Sequence, residues 1–489
     1  MALSITNTNT IGGIKTFPGG AVNLSTSTID VSLGTHFTKT ITGATTFSVT
    51  NVPEDVACSF VLEIVSGSAA SVSWWENIVW GDYNSPPTLK QRDYIRFTLV
   101  DGVWYGAHFG KDLRSAGQYG WIATLGGASG DYGYGMAVDS SGNVYVTGGI
   151  SSQGAGNEDV LIAKYDTSGT LLWQRVLGGA SSDYGLGIAV DSSGNVYVTG
   201  YTQSQGAGSG DVLIAKYNTS GTIQWQRTLG GANIDYGYGI AVDSSGNVYV
   251  TGNTASQGAG SLDVLIAKYN TSGTIQWQRV LGGASSDVGN GIAVDSSGNV
   301  YIIGSTFSQG AGNGDVLIAK YNTSGTIQWQ RTLGGASSDY GYGIAVDSSG
   351  NVYVTGSTFS QGAGGRDVLI AKYDTSGTIQ WQRTLGGASS DGGYGIAVDS
   401  FGNVYVTGYT PSQGAGSDDV LIAKLPGDGS GTGSYFNNTI FYAQSFLTGA
   451  TSTLTSATST LTNSSSTLTG ATSTLTGATS TLISTQDVI

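Results

Sequence analysis

Four short apolar runs recur in each 52-residue unit of the chain, and polar turns separate them. In the second unit the runs read GIAVD, NVYVTG, DVLIAKYN and TIQWQRTLG. Their Val, Ile, Tyr and Thr content predicts β-strands, and the turns Asp191–Asn195 and Asn218–Gly221 are typical of tight hairpins. Apolar residues fall on both faces of Val196–Thr199 and Val212–Lys216, as expected where a sheet packs on each side. Each unit therefore predicts one four-stranded blade of a β-propeller.

The number of units can be counted from one residue type. Six tryptophans recur at intervals of 52 residues: Trp121, Trp173, Trp225, Trp277, Trp329 and Trp381. Such a period is the signature of a propeller or a solenoid. After Lys424 the sixth unit lacks its tryptophan strand, whereas Gly120–Leu125 supplies one before the first unit. We therefore expect an all-β fold in which this N-terminal strand completes the last blade of a six-bladed β-propeller and closes the ring.

The recurring motifs resemble the SBBP repeats, a family named for a seven-bladed β-propeller. The resemblance covers about 310 residues of the chain and implies a propeller, which we place at residues 113–432. The chain departs from the family name, because its sequence contains material for six blades. For activity the resemblance implies almost nothing, since propellers support many functions.

The region before the propeller has a different sequence pattern. In residues 31–112 the runs ITGATTFSV and SFVLEIVSGSAASVSW alternate with turns and predict a small β-sandwich. Together with the SPPTL turn and the strand pair around DGVWYG, their order resembles a module common in bacteriophage virion proteins, especially tail and fibre proteins. That resemblance implies a structural role in a phage particle. Residues 1–30, which include GGIKTFPGG, are expected to form an extended attachment arm.

The tail, residues 433–489, has an apolar period of seven. The leucines in this register are Leu447, Leu454, Leu461, Leu468, Leu475 and Leu482. An apolar heptad predicts a coiled-coil stalk through which copies of the chain associate into a homo-oligomer, which we expect to be a trimer. Thr, Ser and recurring Gly lower helix propensity, so a β stalk or an unfolded tract is the alternative.

Composition and charge exclude several classes of partner. The chain has 489 residues and a formal net charge of −14, and it contains no cluster of Lys and Arg. Binding to nucleic acid depends on neutralising phosphates, so we expect neither nucleic acid nor an anionic membrane as a partner. The N-terminus has no basic region followed by an apolar segment, and no run approaches ~18 apolar residues. We therefore expect synthesis in a host cytoplasm without a signal peptide, and no membrane insertion.

Motifs for catalysis are absent from the sequence. His36 and His108 are the only histidines and Cys58 is the only cysteine. A nucleophile–histidine pair or a Cys/His zinc site would therefore have to be built outside the repeats. The chain also lacks a Walker loop and a GxSxG elbow. We expect no enzyme activity, no catalytic residue and no cofactor.

Two sets of aspartates precede strands in the repeats. One comprises Asp131, Asp183, Asp235, Asp287, Asp339 and Asp391, and the other Asp159, Asp211, Asp263, Asp315, Asp367 and Asp419. Carboxylates beside backbone carbonyls in glycine-rich loops can bind calcium, which takes six to eight oxygen ligands. The alternative is that they cap the loops. Since no dense D-x-D-x-D-G string is present, we assign no metal.

Differences among the six units concentrate on one predicted face of the propeller. In a four-stranded blade two hairpins lie on one face, and the remaining connections lie on the other. The hairpins hardly vary, whereas the other connections carry most of the substitutions. The candidate ligand-binding residues there are Tyr132, Tyr134, Tyr184, Tyr201, Tyr236, Tyr238, Tyr340, Tyr342, Tyr394, Tyr409 and Arg366. Tyr-rich loops suit adaptable recognition and can stack on sugars, although neutral drift in exposed loops is the alternative.

These observations lead to one main functional hypothesis. We expect a virion structural protein of a bacteriophage, a tail fibre or similar surface appendage, that attaches to other virion proteins and binds host-surface glycan. It would be assembled in the host cytoplasm and exposed outside the cell as part of the particle. One alternative is a capsid- or neck-decorating protein without a ligand. Another is a polysaccharide depolymerase, which would need paired carboxylates on the variable face.

Overall fold

The computed structural model describes residues 123–414 and 417–435 without interruption. It also describes residues 9–11, 14–16, 22–31, 36–41, 45–50, 58–66, 72–74, 78–80, 92–100, 103–111, 440–444, 448–451, 455–458, 462–465, 469–472 and 476–479. The chain divides into two compact units, residues 1–121 and residues 122–489. Every helix or strand in the described part of the chain is a β-strand, as the sequence predicts.

The first unit contains one large sheet and several short strand pairs. Its described strands are β1 (Asn9–Ile11), β2 (Ile14–Thr16), β3 (Val22–Asn23), β4 (Thr28–Asp30), β5 (His36–Ile41), β6 (Thr45–Thr46), β7 (Ser48–Thr50), β8 (Cys58–Ser66), β9 (Val72–Ser73), β10 (Ile78–Trp80), β11 (Arg92–Val100) and β12 (Val103–Lys111). A six-stranded sheet has the order β10-β12-β11-β8-β5-β3, and β1–β2, β4–β7 and β6–β9 pair separately. Phe37, Phe60 and Phe97 pack in its buried core. These strands do not confirm the predicted β-sandwich.

The second unit begins with β13 (Ala123–Gly126) and continues as six sheets. Sheet 1 is β14 (Asp131–Val138), β15 (Val144–Ile150), β16 (Asp159–Tyr165) and β17 (Leu171–Gly178); sheet 2 is β18 (Asp183–Val190), β19 (Val196–Thr202), β20 (Asp211–Tyr217) and β21 (Ile223–Gly230). Sheet 3 is β22 (Asp235–Val242), β23 (Val248–Thr254), β24 (Asp263–Tyr269) and β25 (Ile275–Gly282); sheet 4 is β26 (Asp287–Val294), β27 (Val300–Thr306), β28 (Asp315–Tyr321) and β29 (Ile327–Gly334). Sheet 5 is β30 (Asp339–Val346), β31 (Val352–Thr358), β32 (Asp367–Tyr373) and β33 (Ile379–Gly386), and sheet 6 is β34 (Gly392–Val398), β35 (Val404–Thr410) and β36 (Asp419–Leu425). Each is antiparallel with its strands in chain order, as the repeat predicts.

The sixth sheet is not completed in the way the sequence suggests. Among the described residues, sheet 6 contains three strands, and no fourth strand pairs with β36. β13, which follows Trp121 in the chain, pairs instead with β43 (Thr476–Thr479) of the tail. The predicted closure of the ring by an N-terminal strand is therefore wrong for the described part of the chain.

Side-chain exposure at the two ends of the series agrees with an open arrangement. Met136 in sheet 1 is 69% exposed, whereas Ile188, its equivalent in sheet 2, is 8% exposed. Ile422 in sheet 6 is 71% exposed, whereas Ile370, its equivalent in sheet 5, is fully buried. In a closed ring every sheet would have a neighbour on both faces. Sheets 1 and 6 each have one apolar face that the other described strands leave uncovered.

The tail adds one strand to the outer edge of most sheets. Its strands are β37 (Gly433–Tyr435), β38 (Ile440–Gln444), β39 (Thr448–Thr451), β40 (Thr455–Thr458), β41 (Thr462–Ser465), β42 (Thr469–Thr472) and β43. Strands β38, β39, β40, β41 and β42 pair antiparallel with β33, β29, β25, β21 and β17, respectively. The tail thus follows the sheets in reverse order, from sheet 5 back to sheet 1.

Seven residues along the tail span the same step, from one sheet to the next, as 52 residues along the repeats. Gly449 lies opposite Leu333 and Ser456 lies opposite Leu281, so each step of seven residues advances the pairing by one sheet. The predicted separate stalk is not confirmed, because the described tail strands pair within the chain. The six heptad leucines proposed for oligomerisation, Leu447, Leu454, Leu461, Leu468, Leu475 and Leu482, lie outside the described residues.

The hairpin between the first two strands of each sheet is held by one aspartate. In sheet 3 the Asp243 carboxylate accepts hydrogen bonds from the Ser245 and Asn247 backbone N–H groups, the Asn247 side chain and the Tyr249 hydroxyl. Gly246 has φ of +79°, which glycine adopts without strain. The prediction that turns such as Asp191–Asn195 form tight hairpins is confirmed.

Neighbouring sheets are joined by the tryptophan and arginine of each fourth strand. In sheet 2 the Trp225 indole N–H donates to Thr271 O at 3.1 Å, and Arg227 Nε donates to Gly273 O at 2.8 Å. Gly273 has φ of +74°, and a Cβ there would lie 2.7 Å from Trp225 Cδ2. The tryptophan period therefore marks a contact between sheets, repeated along the series.

Replacing Asp243 by Asn is expected to lower the free energy of unfolding by about 1 to 2 kcal/mol at neutral pH, because charge-assisted hydrogen bonds are lost. Burial acts to raise the pKa of Asp243, but the hydrogen bonds from Asn247 and Tyr249 outweigh it and the pKa is lowered. A lowered pKa stabilises the folded protein above the unfolded pKa, and that stability is lost as the pH falls through the folded value. Urea titrations should show the difference from wild type shrinking below about pH 4. A constant difference between pH 7 and pH 3 would contradict this account.

Deleting residues 436–489 is expected to leave the fourth strands with an unpaired edge. Hydrogen–deuterium exchange in β21, β25 and β29 should then be about tenfold faster or more than in the full chain. Strands β19, β23 and β27 are paired on both sides and provide the internal control. Unchanged exchange in the fourth strands would show that the tail does not cover them.

Candidate functional site

The candidate tyrosines lie at the end of each sheet where the first strand begins and the second strand ends. Tyr184 near the start of β18 lies directly opposite Tyr201 near the end of β19. At the same end, the Asp183 N–H donates to Glu158 O at 2.6 Å, which joins the loop before sheet 2 to a loop of sheet 1. The hairpins lie at the opposite end of the strands. The variable connections of neighbouring sheets are thus brought together on one side.

A first group of side chains, the acidic aromatic cluster, consists of Glu158, Tyr184, Tyr201, Tyr236 and Tyr238. The ring centroid of Tyr201 lies 4.7 Å from that of Tyr184 and 4.1 Å from that of Tyr236. The Tyr236 and Tyr238 rings are 6.4 Å apart. A hydrogen bond to Glu158 raises the pKa of Tyr184, and burial acts in the same direction. Burial also raises the pKa of Tyr201, so the Tyr184 and Tyr201 phenols stay protonated at neutral pH.

A second group, the arginine aromatic cluster, consists of Phe307, Tyr340, Phe359, Arg366, Tyr409, Tyr394 and Tyr342. The Tyr340 ring lies 6.1 Å from Phe307 and 6.4 Å from Phe359. The Arg366 guanidinium carbon lies 5.6 Å from the Phe359 ring and 5.0 Å from the Tyr409 ring. Tyr394 lies 5.7 Å from Tyr409 and 5.3 Å from Tyr342. One cation therefore links two sets of rings into an unbroken series across sheets 4, 5 and 6.

The last two candidate residues, Tyr132 and Tyr134, form a separate pair. Their rings stack with centroids 6.2 Å apart, and both side chains are more than half exposed. Burial raises the pKa of Tyr134, and the nearby Glu158 charge acts in the same direction. The structure therefore distributes the sequence candidates over two clusters and one pair.

The two clusters differ in charge because of one position in the repeat. Glu158 and Arg366 are equivalent residues four units apart, and Gly210 and Gly314 occupy the same position in sheets 2 and 4. Space for Arg366 depends on Gly392, where a Cβ would lie 2.5 Å from Tyr409 Cε1 and 3.2 Å from Arg366 Nη2. A single position thus determines whether the neighbouring aromatic rings surround an acid or a base.

Three residues of these clusters are not among the sequence candidates. Phe307 and Phe359 occupy a position that carries Ser, Gln, Ala or Pro in the other units, and both are partly exposed. Glu158 stands at the position equivalent to Arg366. A comparison of the six units at every variable position, and not at the tyrosines alone, identifies all three residues.

The two sets of aspartates meet in pairs between neighbouring sheets. The pairs are Asp159 with Asp183, Asp211 with Asp235, Asp263 with Asp287, Asp315 with Asp339, and Asp367 with Asp391. All ten side chains are at most 1% exposed. In each, Oδ2 accepts hydrogen bonds from its own loop, as capping predicts, but Oδ1 is buried without a hydrogen-bond partner.

The pKa of the first aspartate of each pair is shifted in the opposite direction to the pKa of the unpaired Asp131. Burial raises the pKa of Asp367 to about 6, and the Asp391 charge adds to this effect. Burial acts to raise the pKa of Asp131 in sheet 1, but hydrogen bonds from Gly127, Ser152 and Ser151 outweigh it and lower the pKa. In the described part of the chain, no group of three or more His, Cys, Asp or Glu side chains is arranged to hold a metal ion.

No described helix is long and apolar enough to cross a membrane.

Comparison with known proteins identifies the repeats. The SBBP β-propeller repeat matches residues 120–152, 172–206, 224–258, 276–308, 328–360 and 380–413, and a second β-propeller domain of unknown function, DUF5122, matches residues 192–223 and 296–327. The chain therefore carries SBBP β-propeller repeats, as its motifs predict. None of these matches bears on the resemblance of residues 31–112 to phage virion modules.

Two curated relatives match part of the chain. An uncharacterised WD repeat-containing protein of Acanthamoeba polyphaga mimivirus is 23% identical over 59% of this chain and 31% of its own length. The regulatory protein FlaEY of Caulobacter vibrioides is 26% identical over 53% of this chain and 26% of its own length. The chain spans less than a third of the length of these relatives.

Solved structures resemble the chain weakly. Virginiamycin B lyase from Staphylococcus aureus is 14% identical, with a TM-score of 0.35 over 62% of this chain and 88% of that one. A gluconolactonase from Xanthomonas campestris is 12% identical, with a TM-score of 0.33 over 60% of this chain and 86% of that one. Similarity at this level carries no argument about function.

Proposed function

We propose that the chain is a structural protein of a phage virion, a tail fibre or similar surface appendage, and that its arginine aromatic cluster binds host-surface glycan. The observation that carries the binding proposal is the unbroken series of rings around Arg366, in which Phe307 and Phe359 stand where other units carry Ser, Gln, Ala or Pro. Aromatic faces stack on sugar rings, and a guanidinium group binds carboxylates and hydroxyl groups. The virion role is supported by the resemblance of residues 31–112 to phage structural modules.

Binding through this cluster would be non-covalent and weak for each site. Several copies of the chain on one particle would raise the avidity, because a second contact forms at a high effective concentration. We propose that residues 1–30 attach the chain to other virion proteins, which leaves the repeats free to meet the host.

The second candidate function is a capsid- or neck-decorating protein whose repeats act as a spacer without a ligand. The acidic aromatic cluster favours this alternative in part, since its rings pack on one another and a hydrogen bond already occupies Glu158. We propose no catalytic activity. The aspartate pairs that a depolymerase would need are fully buried between sheets and do not reach a substrate.

Replacing Arg366 by Gly and Phe359 by Ala is expected to weaken glycan binding by about tenfold or more, because both an aromatic face and its neighbouring cation are lost. Both substitutions copy residues that other units carry at these positions, so the fold should tolerate them. The measurement is binding to a glycan array, followed by affinity for the best glycan.

The matched control is Phe401→Ser on the hairpin side, where Phe401 is exposed and the other units carry Ser. This variant should bind like the wild type. Equal binding by the Arg366→Gly/Phe359→Ala variant would contradict the proposed site. An array on which the wild-type protein is silent, with the chain located on the phage head by electron microscopy, would favour the ligand-free alternative.

A further inference from the structure

The feature that carries a further inference is the aspartate pair repeated at each junction between sheets. In the junction of sheets 2 and 3, the Asp235 N–H donates to Gly210 O at 2.7 Å, which holds Asp235 beside Asp211. The same backbone hydrogen bond recurs at the other four junctions, with lengths of 2.6 or 2.7 Å. These backbone hydrogen bonds therefore hold the two aspartates of each pair side by side, without the help of a flexible side chain.

Each carboxylate of a pair uses only one of its two oxygens. Asp211 Oδ2 accepts from the Gly208 N–H at 3.1 Å, and Asp235 Oδ2 accepts from the Gly231 N–H and the Ser256 hydroxyl at 2.7 Å. The Oδ1 atoms of both aspartates are buried and have no hydrogen-bond partner. A buried, unpaired carboxylate oxygen is costly, and here two of them share one junction.

A glycine packs against the first carboxylate of each pair. At the junction of sheets 5 and 6, a Cβ on Gly386 would lie 3.0 Å from Asp391 Oδ2 and closer still to Asp367 Oδ1. The glycine at the equivalent position of each earlier junction would likewise place a Cβ against the unpaired Oδ1 of the preceding aspartate. The absence of a side chain on this glycine therefore lets the first carboxylate place its unpaired Oδ1 against the backbone, and at the junction of sheets 5 and 6 the same glycine lies beside both carboxylates.

We propose that each of the five aspartate pairs binds one hard divalent cation, calcium or magnesium, between neighbouring sheets. Carboxylate oxygens are ligands that both ions prefer; magnesium is often held by one or two carboxylates, and calcium would need further oxygen ligands from the surrounding loops. The cation would satisfy both Oδ1 atoms and neutralise two buried negative charges. It would also join the sheets at the end opposite the hairpin contacts made by Trp225 and Arg227.

Asp131 provides an internal comparison within the same molecule. It occupies the same repeat position as Asp235, but in the described residues no aspartate of a preceding sheet faces it. Both of its carboxylate oxygens accept hydrogen bonds, Oδ1 from Ser151 and Ser152 and Oδ2 from Gly127 and Ser152. Where the partner aspartate is missing, the loop itself satisfies the carboxylate. An Oδ1 atom without a hydrogen-bond partner therefore occurs where two aspartates face each other, and it is not a general property of this repeat position.

The sequence alone does not predict these sites. The two aspartates of a pair are 24 residues apart and belong to different sheets, so no local string of acids marks them. Their pairing follows from the backbone hydrogen bond between the loops of neighbouring sheets.

The test is equilibrium dialysis of the metal-free full-length protein against calcium and, separately, against magnesium, with bound metal measured by mass spectrometry. We expect saturable binding of about five ions per chain, one for each pair, with at least one of the two metals. Asp235→Asn should lower the number bound by about one and should reduce the rise in melting temperature that the metal produces. The control variant Asp131→Asn should leave both unchanged.

Two outcomes would overturn the proposal. The first is the absence of saturable binding of either metal by a wild-type protein whose circular dichroism shows it to be folded. The second is binding that Asp235→Asn does not reduce. If the metal-free Asp235→Asn variant is more stable than wild type and neither metal stabilises the wild type, the pair shares a proton instead. If Asp235→Asn fails to fold, Asp211→Asn on the other side of the same pair serves as the second variant.

Discussion

The structure of the repeat region depends on one constraint: each four-stranded sheet has two apolar faces and can bury them only against neighbouring sheets. The second and third strands of the inner sheets are almost entirely buried, although each sheet contains few residues. Hydrogen bonds from the tryptophan and arginine of each fourth strand hold the next sheet in place. Because every junction is built from the same residues, the contact is repeated with little change. Sheets 1 and 6 stand at the ends of the series, and each keeps one apolar face exposed.

The same constraint leaves one side of the sheets free to vary. The hairpins need aspartate, glycine and asparagine to form their turns, so substitutions there carry a cost in stability. At the other end the loops need only the buried aspartates and a few glycines, and the remaining positions can carry rings or charges. The Glu158 and Arg366 position shows how one substitution on a constant backbone produces an acidic or a basic surrounding. Chemical variety is thus obtained without rebuilding the sheet.

The sequence predicts the strands, the hairpins and the variable side of the sheets, because each of these follows from local patterns within one unit. Five of the evenly spaced tryptophans donate a hydrogen bond to the next sheet, so their period also indicates the packing: Trp173, Trp225, Trp277, Trp329 and Trp381. The strand count predicts ring closure, but it does not predict that β13 pairs with β43. The sequence pattern of β13 does not distinguish one free strand edge from another.

The sequence of the tail is ambiguous for a physical reason. Its period of seven suits a coiled coil, yet it also equals the number of residues the chain uses to pass from one sheet edge to the next. Among the site residues, the tyrosines follow from the variation between units on one predicted face, whereas the roles of Phe307, Phe359 and the aspartate pairs depend on contacts between units.

The reverse order of the tail strands has a consequence for biosynthesis. A ribosome makes the chain from its N-terminus, so all six repeats emerge before the residues that cover the edges of sheets 1 to 5 exist. An unpaired strand edge is a template for pairing with another chain. The nascent protein therefore presents several bare edges at once, and the edge of sheet 1 is covered last among the five four-stranded sheets, although that sheet is made first. Crowded translation of one messenger would place such edges side by side, which makes the last stage of synthesis the interval in which misassembly between copies is most probable.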